Sequence, residues 1–268
     1  MKKIMLAIYF FFTMQAFAQS ALDEMIATEK SFAAYAVAHN TKDAFLKFMD
    51  TSAVMFEKGE PMNGYERWTK REQRPGILNW RPRYAEIAAS GDFGFTCGPW
   101  TFQPQTVTDS VVARGYFFTI WHKNKVGDWK FILDVGTDAG ILVKETEVVK
   151  LTTQKGKATE HTLGEAEDAF QQLYKADESK AYKNYMAANV ILAGDKQQLT
   201  SGLADWKYSA TAQPAIIEFN YLGGGIAPSG DLGYAYGTAT RNGQKETYLR
   251  IWRHELTGWK IAVQLLRL

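Results

Sequence analysis

Two carboxylates of this chain occur in apolar surroundings, where a charged side chain is unusual. Glu29 falls inside the apolar stripe of a predicted first helix, residues 21–39, and Asp134 lies in an apolar strand pattern, residues 131–135. A carboxylate that is removed from water has a raised pKa, so it can take up and return a proton near neutral pH, beside a carbonyl for example. Glu29 and Asp134 are therefore the candidate catalytic residues.

Each of these carboxylates also has a structural interpretation. Glu29 has a counterpart, Glu167, on the corresponding helix of the second half. Duplication favours a carboxylate that bonds a strand Tyr, a Trp indole or backbone amides, because chemistry need not be present twice. Asp134 alternates in step with Lys130 and out of step with the apolar residues of its strand, which indicates a solvated or interface face.

Aromatic side chains are more numerous in the first half of the chain than at matching places in the second half. Trp100 and Phe102 align with Ala239 and Arg241. Much of this aromatic content is typical of ordinary core packing, but a ligand-binding half, if there is one, is predicted to be the first. The candidate ligand-binding residues are Trp80, Trp100, Phe102, Tyr116, Phe118 and His122.

The elements that must position these residues occur twice along the chain. Residues 90–136 and 229–266 both contain a Ser-Gly-Asp turn, an aromatic-rich strand and a hairpin with a Trp in each arm. The matching tryptophans are Trp121 with Trp252 and Trp129 with Trp259. In each half, predicted helices precede predicted strands, which is an α+β arrangement. The chain is thus predicted to be a tandem repeat of one domain-sized unit.

The N-terminal residues predict export. Lys2 and Lys3 precede a short apolar run, and an A-x-A pattern ends at Ala18, which is typical of a secretory signal peptide. We therefore predict a signal peptide at residues 1–18, a first domain at 19–137, a linker at 138–161 and a second domain at 162–268. The predicted location is periplasmic or secreted, without a membrane anchor.

Composition and missing motifs exclude several classes of function. After removal of the two N-terminal lysines, 29 basic residues face 29 acidic ones, so neither nucleic acid nor an anionic membrane is the expected partner. The single Cys97 cannot form an internal disulfide. No zinc-ligand spacing, nucleophile elbow or dinucleotide fingerprint occurs, so no metal and no cofactor is predicted.

Several short motifs resemble one known superfamily. They are Glu29-Lys30-Ser31-Phe32, Gly64, Ser90-Gly91-Asp92, Ile120-Trp121 and Trp129-Lys130-Phe131, with their counterparts in the second half. Each half resembles the nuclear transport factor 2-like (cystatin-like) superfamily, and in particular its SnoaL-like branch. The resemblance implies two cone-shaped domains, each with N-terminal helices packed on a strongly bent antiparallel sheet and an apolar pocket at its open end. Relatives include isomerases, cyclases, dehydratases and members without known catalysis.

Three functional hypotheses remain open. The first is an exported protein that binds a small apolar or aromatic ligand in the first domain. The second is a cofactor-free lyase or isomerase that uses Glu29 or Asp134 as its proton shuttle. The third is an interaction module, because sheet faces commonly form dimers in this superfamily. The two domains would then make an internal pseudo-dimer, or two chains a homodimer, with Thr119, Trp121, Arg250 and Trp252 on the buried faces.

Overall fold

The protein is described by a computed structural model over residues 2–152, 156, 163–203 and 217–268, with side chains from Ser20 onward. In the first half, three helices and four strands precede the three longest strands. These elements are α1 (Lys2–Ala38), α2 (Thr41–Phe48), β1 (Met49–Glu57), β2 (Glu60–Asn63), α3 (Gly64–Lys70), β3 (Ile77–Trp80), β4 (Tyr84–Ile87), β5 (Phe93–Gln103), β6 (Ala113–Lys123), β7 (Trp129–Asp138) and β8 (Val149–Lys150).

The second half has the same order of helices and long strands. Its described elements are α4 (Leu163–Ala176), α5 (Glu178–Tyr185), β9 (Met186–Gly194), β10 (Thr200–Ser201), β11 (Glu218–Ile226), β12 (Leu232–Arg241), β13 (Gln244–Glu255) and β14 (Gly258–Leu266). The chain therefore has the expected α+β fold, with helices packed on two sheets. Within the described part of the chain, no helix is both long and apolar enough to cross a membrane.

The two sheets have equivalent strand orders. The first runs β2-β1-β7-β6-β5-β4-β8, with β3 also paired to β5, and the second runs β10-β9-β14-β13-β12-β11. The long strands are antiparallel, but β1 lies parallel to β7 and β9 lies parallel to β14. Part of the predicted linker also belongs to the first sheet, since β8 pairs with Tyr84 and Ala85 of β4.

A β-bulge in β7 decides which side chains face the helices. Trp121 pairs with Phe131, but the preceding residue, Ile120, pairs with Leu133, so Ile132 is the extra residue. A bulge reverses the alternation of side chains along its strand. Phe131 accordingly packs on the helix side of the sheet, whereas Leu133 packs on the opposite side.

The core is divided into three clusters by the two sheets. Two of them lie between a sheet and its own helices, around Phe32 in the first half and Phe170 in the second. The third lies between the sheets and includes Phe118, Ile120 and Leu249. The two sheets thus pack against each other through the faces that point away from their helices.

The repeated Ser-Gly-Asp turns meet at this contact between the sheets. The backbone N–H of Ser90 donates to Oγ of Ser229 over 3.1 Å, and the N–H of Ala89 donates to Oδ2 of Asp231 over 3.0 Å. Contact of one element with its own repeat is typical of a pseudo-twofold arrangement. Arg253 and Glu86 form a buried ion pair across the same contact, with Nη2 and Oε2 2.5 Å apart.

The sheet faces predicted to meet between the halves were assigned wrongly. Thr119, Trp121, Arg250 and Trp252 point into the helix-covered sides of their sheets, where Trp121 and Trp252 belong to the two helix-side clusters. The alternate residues of the same strands, such as Ile120, fill the contact between the sheets. Alternation of side chains along a strand gives two possible faces for the contact between the sheets. The helices cover one face of each sheet, so the other face forms that contact.

Candidate functional site

Glu29 is fully buried and accepts hydrogen bonds at both carboxylate oxygens. Nε1 of Trp80 donates to Oε1 over 2.5 Å, and the Thr96 hydroxyl donates to Oε2 over 2.5 Å. Nε1 of Trp121 lies 3.1 Å from Oε2 and 2.9 Å from the Thr96 oxygen. These contacts tie the first helix to three strands, and they are of the kind that the structural interpretation of Glu29 requires.

Asp134 lies on the helix side of the first sheet, contrary to the solvated or interface face that simple alternation indicated. It follows the bulge at Ile132, so it shares a face with Phe131 instead of with Leu133. Its partner across the strands is Thr119, whose hydroxyl donates to Oδ2 of Asp134 over 2.8 Å. Asp134 also lines a cavity between the first helices and the first sheet.

A cavity of about 240 Å³ opens between the first helices and the first sheet. Asp134, Gly136 and Asp138 contribute the lining from β7. The other lining residues are all apolar or aromatic: Phe32, Phe45, Leu78, Trp80, Trp100 and Phe117. An apolar wall with a few convergent polar groups is typical of a small-molecule site.

Both carboxylates near this cavity have raised pKa values. Burial raises the pKa of Glu29 to about 7, against the hydrogen bonds from Thr96 and Trp80 that lower it, and the charge of Asp134 adds a smaller rise. Burial raises the pKa of Asp134 to about 6, against the hydrogen bond from Thr119. Both raised pKa values lie closer to neutral pH than those of free carboxyl groups, and burial is the main cause in each case.

The corresponding carboxylate of the second half is neutralised by an arginine. Glu167 is fully buried and forms an ion pair through Oε1 with Nη1 of Arg250, which is also fully buried. Tyr248 donates to the same oxygen over 3.0 Å, and Nε1 of Trp252 donates to Oε2 over 2.9 Å. Arg250 occupies the position that Thr119 has in the first half, and Gln264 occupies that of Asp134.

The predicted ligand-binding residues separate into two groups. Trp80 and Trp100 line the cavity. Phe102 lies in a neighbouring cleft of about 420 Å³, which it shares with Trp100, so it contacts the site only indirectly.

Tyr116, Phe118 and His122 do not line this cavity, and their role in ligand binding stays a prediction. They alternate with Phe117, so they lie on the opposite face of β6. Tyr116 and Phe118 fill the core between the sheets. Nε2 of His122 lies 3.0 Å from Oδ2 of Asp50, outside the cavity.

Several lining residues were not among the predicted site residues. Phe32 lies on the predicted first helix, Phe45 lies beyond it, and Phe117 belongs to the aromatic-rich first half, where ordinary core packing explains much of the aromatic content. The helical spacing of Glu29 and Phe32 was the available signal, since residues three apart share one face of a helix. No comparable spacing in the sequence indicated that Gly136 and Asp138 would line a cavity.

Metal binding has no support from the described residues. Nowhere in the described ranges do three or more His, Cys, Asp or Glu side chains form a group that could hold a metal ion. The cavity is lined by two carboxylates, two indoles, three phenyl rings, Leu78 and Gly136.

Comparison with known proteins gives structural neighbours only. No family model and no curated protein matches the chain. A putative dehydratase of the NTF2-like family from Streptomyces avermitilis is 17% identical, aligned over 40% of this chain and 93% of its own, with a TM-score of 0.33. A ketosteroid isomerase-like protein from Erwinia carotovora atroseptica is 19% identical over 38% and 90%, with a TM-score of 0.30.

A third solved structure belongs to the same group. An NTF-2 like protein of unknown function from Shewanella oneidensis is 13% identical over 38% of this chain and 93% of its own, with a TM-score of 0.31. The structural neighbours are nuclear transport factor 2-like and ketosteroid isomerase-like proteins.

The two buried glutamates predict opposite responses to neutralisation. Glu167→Gln leaves the buried guanidinium of Arg250 without its counter-ion, so we expect a loss of roughly 3–5 kcal/mol in the free energy of unfolding. Glu29→Gln should cost much less, because a neutral amide can still accept from Trp80 and donate to Thr96. Urea denaturation at pH 7.5 measures both variants.

The same pair of variants tests the protonation of Glu29. The folded protein retains a proton on Glu29 up to about pH 7, whereas the unfolded chain releases it near pH 4.5. Stability should therefore fall as pH rises through this window, by about 3 kcal/mol from Glu29. Glu29→Gln should lack this part of the decline, and Glu167→Gln should retain it. An unchanged pH profile in Glu29→Gln would contradict the raised pKa.

Proposed function

We propose that the first half of the chain binds a small, mainly apolar or aromatic molecule in the cavity between its helices and its sheet. The observation that carries this proposal is the contrast between the halves at equivalent positions. The first half has a cavity next to Thr119 and Asp134, whereas the second half has the Arg250 side chain at the position of Thr119.

The size and lining of the cavity support a ligand of about one or two rings. An engineered apolar cavity of roughly 150 Å³ is large enough for benzene, and this cavity measures about 240 Å³. The rings of Trp80, Trp100 and Phe117 offer flat apolar surfaces for stacking. Asp134 and Asp138 supply the polar groups that would orient the ligand.

Indole is a suitable first probe for this site. We expect the protein to bind indole, with a higher melting temperature in its presence and a change in the fluorescence of Trp80 and Trp100. Gly136→Leu should lower the affinity at least about tenfold, because the added side chain extends into the cavity. The first added carbon meets only the Trp100 indole and the Tyr116 carbonyl, both at 3.4 Å, so the backbone can accept it.

Gly140→Leu is the matched control for this experiment. A Cβ at Gly140 has nothing within 4 Å, so the same substitution adds the same apolar group away from the cavity. It should leave indole binding unchanged. Equal binding by wild type and Gly136→Leu would place the ligand elsewhere, and the absence of binding to a set of small aromatic compounds would contradict the proposal.

A second candidate function is a cofactor-free lyase or isomerase with Asp134 as its proton shuttle. The observation in its favour is that Asp134 contacts the cavity, has a pKa raised to about 6, and is not paired with an arginine. Its carboxylate could remove a proton next to a substrate carbonyl and return the same proton to another carbon. Glu29 is less suited to this role, since Trp80, Thr96 and Trp121 occupy its oxygens.

The isomerisation of 3-cyclohexenone to its conjugated isomer tests this second function. The base takes the proton between the carbonyl and the double bond, and the dienolate takes it back at the far carbon. The rate should rise with pH through about 6, because the ionised Asp134 is the active form. Asp134→Asn should lower the rate at least about 10²-fold. The exposed Glu66→Gln should not change it, and equal rates in all three proteins would exclude catalysis by Asp134.

We further propose that the protein is exported to the periplasm or secreted, and that it is a monomer with an internal pseudo-dimer. The signal-peptide pattern of residues 1–18 supports export, and the burial of both outer sheet faces against each other supports the monomer. Mature protein from the producing cell should begin at Gln19. Light scattering should give the mass of one chain, and a stable dimer would contradict this part.

A further inference from the structure

The second half contains a cation at the place where the first half has its cavity. The guanidinium carbon of Arg250 lies 4.3 Å from the ring centre of Phe170, 4.1 Å from that of Phe219 and 4.5 Å from that of Tyr248. One of its nitrogens pairs with the buried carboxylate of Glu167. A cation over aromatic faces and against a carboxylate is a favourable arrangement for a side chain that is buried from solvent, as Arg250 is.

The three rings around Arg250 have counterparts that line the cavity of the first half. Trp80 lies opposite Trp100 in the first sheet. Phe219 lies opposite Ala239, the residue that matches Trp100, in the second sheet. The full set of equivalent rings is Phe170 with Phe32, Phe219 with Trp80, and Tyr248 with Phe117.

The position of the cation itself is also equivalent. Arg250 lies opposite Gln264 in the second sheet, as Thr119 lies opposite Asp134 in the first. The first half therefore has a short hydroxyl group where the second half has a long cation, and a carboxylate where the second half has a neutral amide. The aromatic surroundings are retained, and the space is open.

The charges around the cavity are consequently of one sign. Asp134 and Asp138 line it, Glu29 lies behind it, and none of the residues that line it is Lys, Arg or His. A neutral apolar ligand would leave the ionised form of Asp134 without a counter-ion in the cavity. A ligand with a positive group would supply the charge that Arg250 supplies in the second half.

We propose that the cavity of the first half binds a small organic cation, an amidinium, guanidinium or ammonium group on an apolar body. The positive group lies against Asp134 and over the rings of Phe32, Trp80 and Phe117, as the guanidinium of Arg250 lies among its own three rings. This inference rests on the proposed ligand-binding function and adds the charge of the ligand to it.

Benzamidine and benzamide form the matched pair of probes. They have nearly the same shape, but benzamidine is cationic at neutral pH and benzamide is neutral. Isothermal titration at pH 7.5 should show that benzamidine binds at least about tenfold more tightly than benzamide. Asp134→Asn should remove this preference while it leaves the weak binding of benzamide in place. Glu66→Gln, which removes one exposed negative charge outside the cavity, should keep the full preference.

A second variant gives the first half the arginine that the second half has at the equivalent position. Thr119→Arg places a guanidinium at the position equivalent to Arg250, so it should abolish binding of benzamidine and of benzamide alike. If Thr119→Arg does not fold, Asp134→Asn still decides the question.

The possible outcomes separate the two proposals. Equal or tighter binding of benzamide overturns the cation inference and leaves the proposed ligand-binding function intact. A preference for benzamidine that survives in Asp134→Asn overturns the role of Asp134. The absence of binding by either probe at millimolar concentration counts against both proposals.

Discussion

Each half of this protein is organised around a buried carboxylate that a helix supplies and a strand tryptophan binds. Glu29 accepts from the indole of Trp121, and Glu167 accepts from that of Trp252. A buried carboxylate is costly unless its charge is balanced or removed. The two halves meet this constraint differently, since Arg250 balances the charge of Glu167, whereas burial raises the pKa of Glu29 until a proton can remove its charge. The chemistry available in each half follows from that difference.

The second constraint is the alternation of side chains along the long strands, which decides the face of the sheet on which each side chain lies. The bulge at Ile132 turns Leu133 toward the contact between the sheets and Asp134 toward the helices. Without this extra residue, the carboxylate would lie between the two sheets, where the core is apolar. An equivalent irregularity occurs between Ile251 and Trp252 of the second sheet, so the parity change belongs to the repeated scaffold. What differs between the halves is the residue placed at the position it creates.

Much of the architecture could be predicted from the sequence because it depends on local patterns that occur twice. The α+β fold is predicted from the sequence alone by the helical stripe around Glu29, the Ser-Gly-Asp turns and the paired tryptophans. The site was less predictable. Tyr116 and Phe118 were expected to bind ligand, but Phe117 between them lines the cavity. The aromatic content of a strand does not show which of its two faces borders a cavity. The face on which Asp134 lies depends on the bulge at Ile132, and no glycine or other turn residue in the sequence indicates that bulge.

The contact between the sheets explains how one half can retain an open, carboxylate-lined cavity. A cavity lacks packing contacts, and a buried carboxylate without a cation is destabilising near neutral pH. In this chain the sheet that carries both features also packs its other face against the second sheet, with Phe118 and Leu249 in a shared core and Arg253 paired with Glu86. The second half, in which Arg250 lies among aromatic rings, thus contributes packing contacts and an ion pair to the sheet that borders the cavity. The cavity of the first half therefore borders a sheet whose other face is covered by the second half.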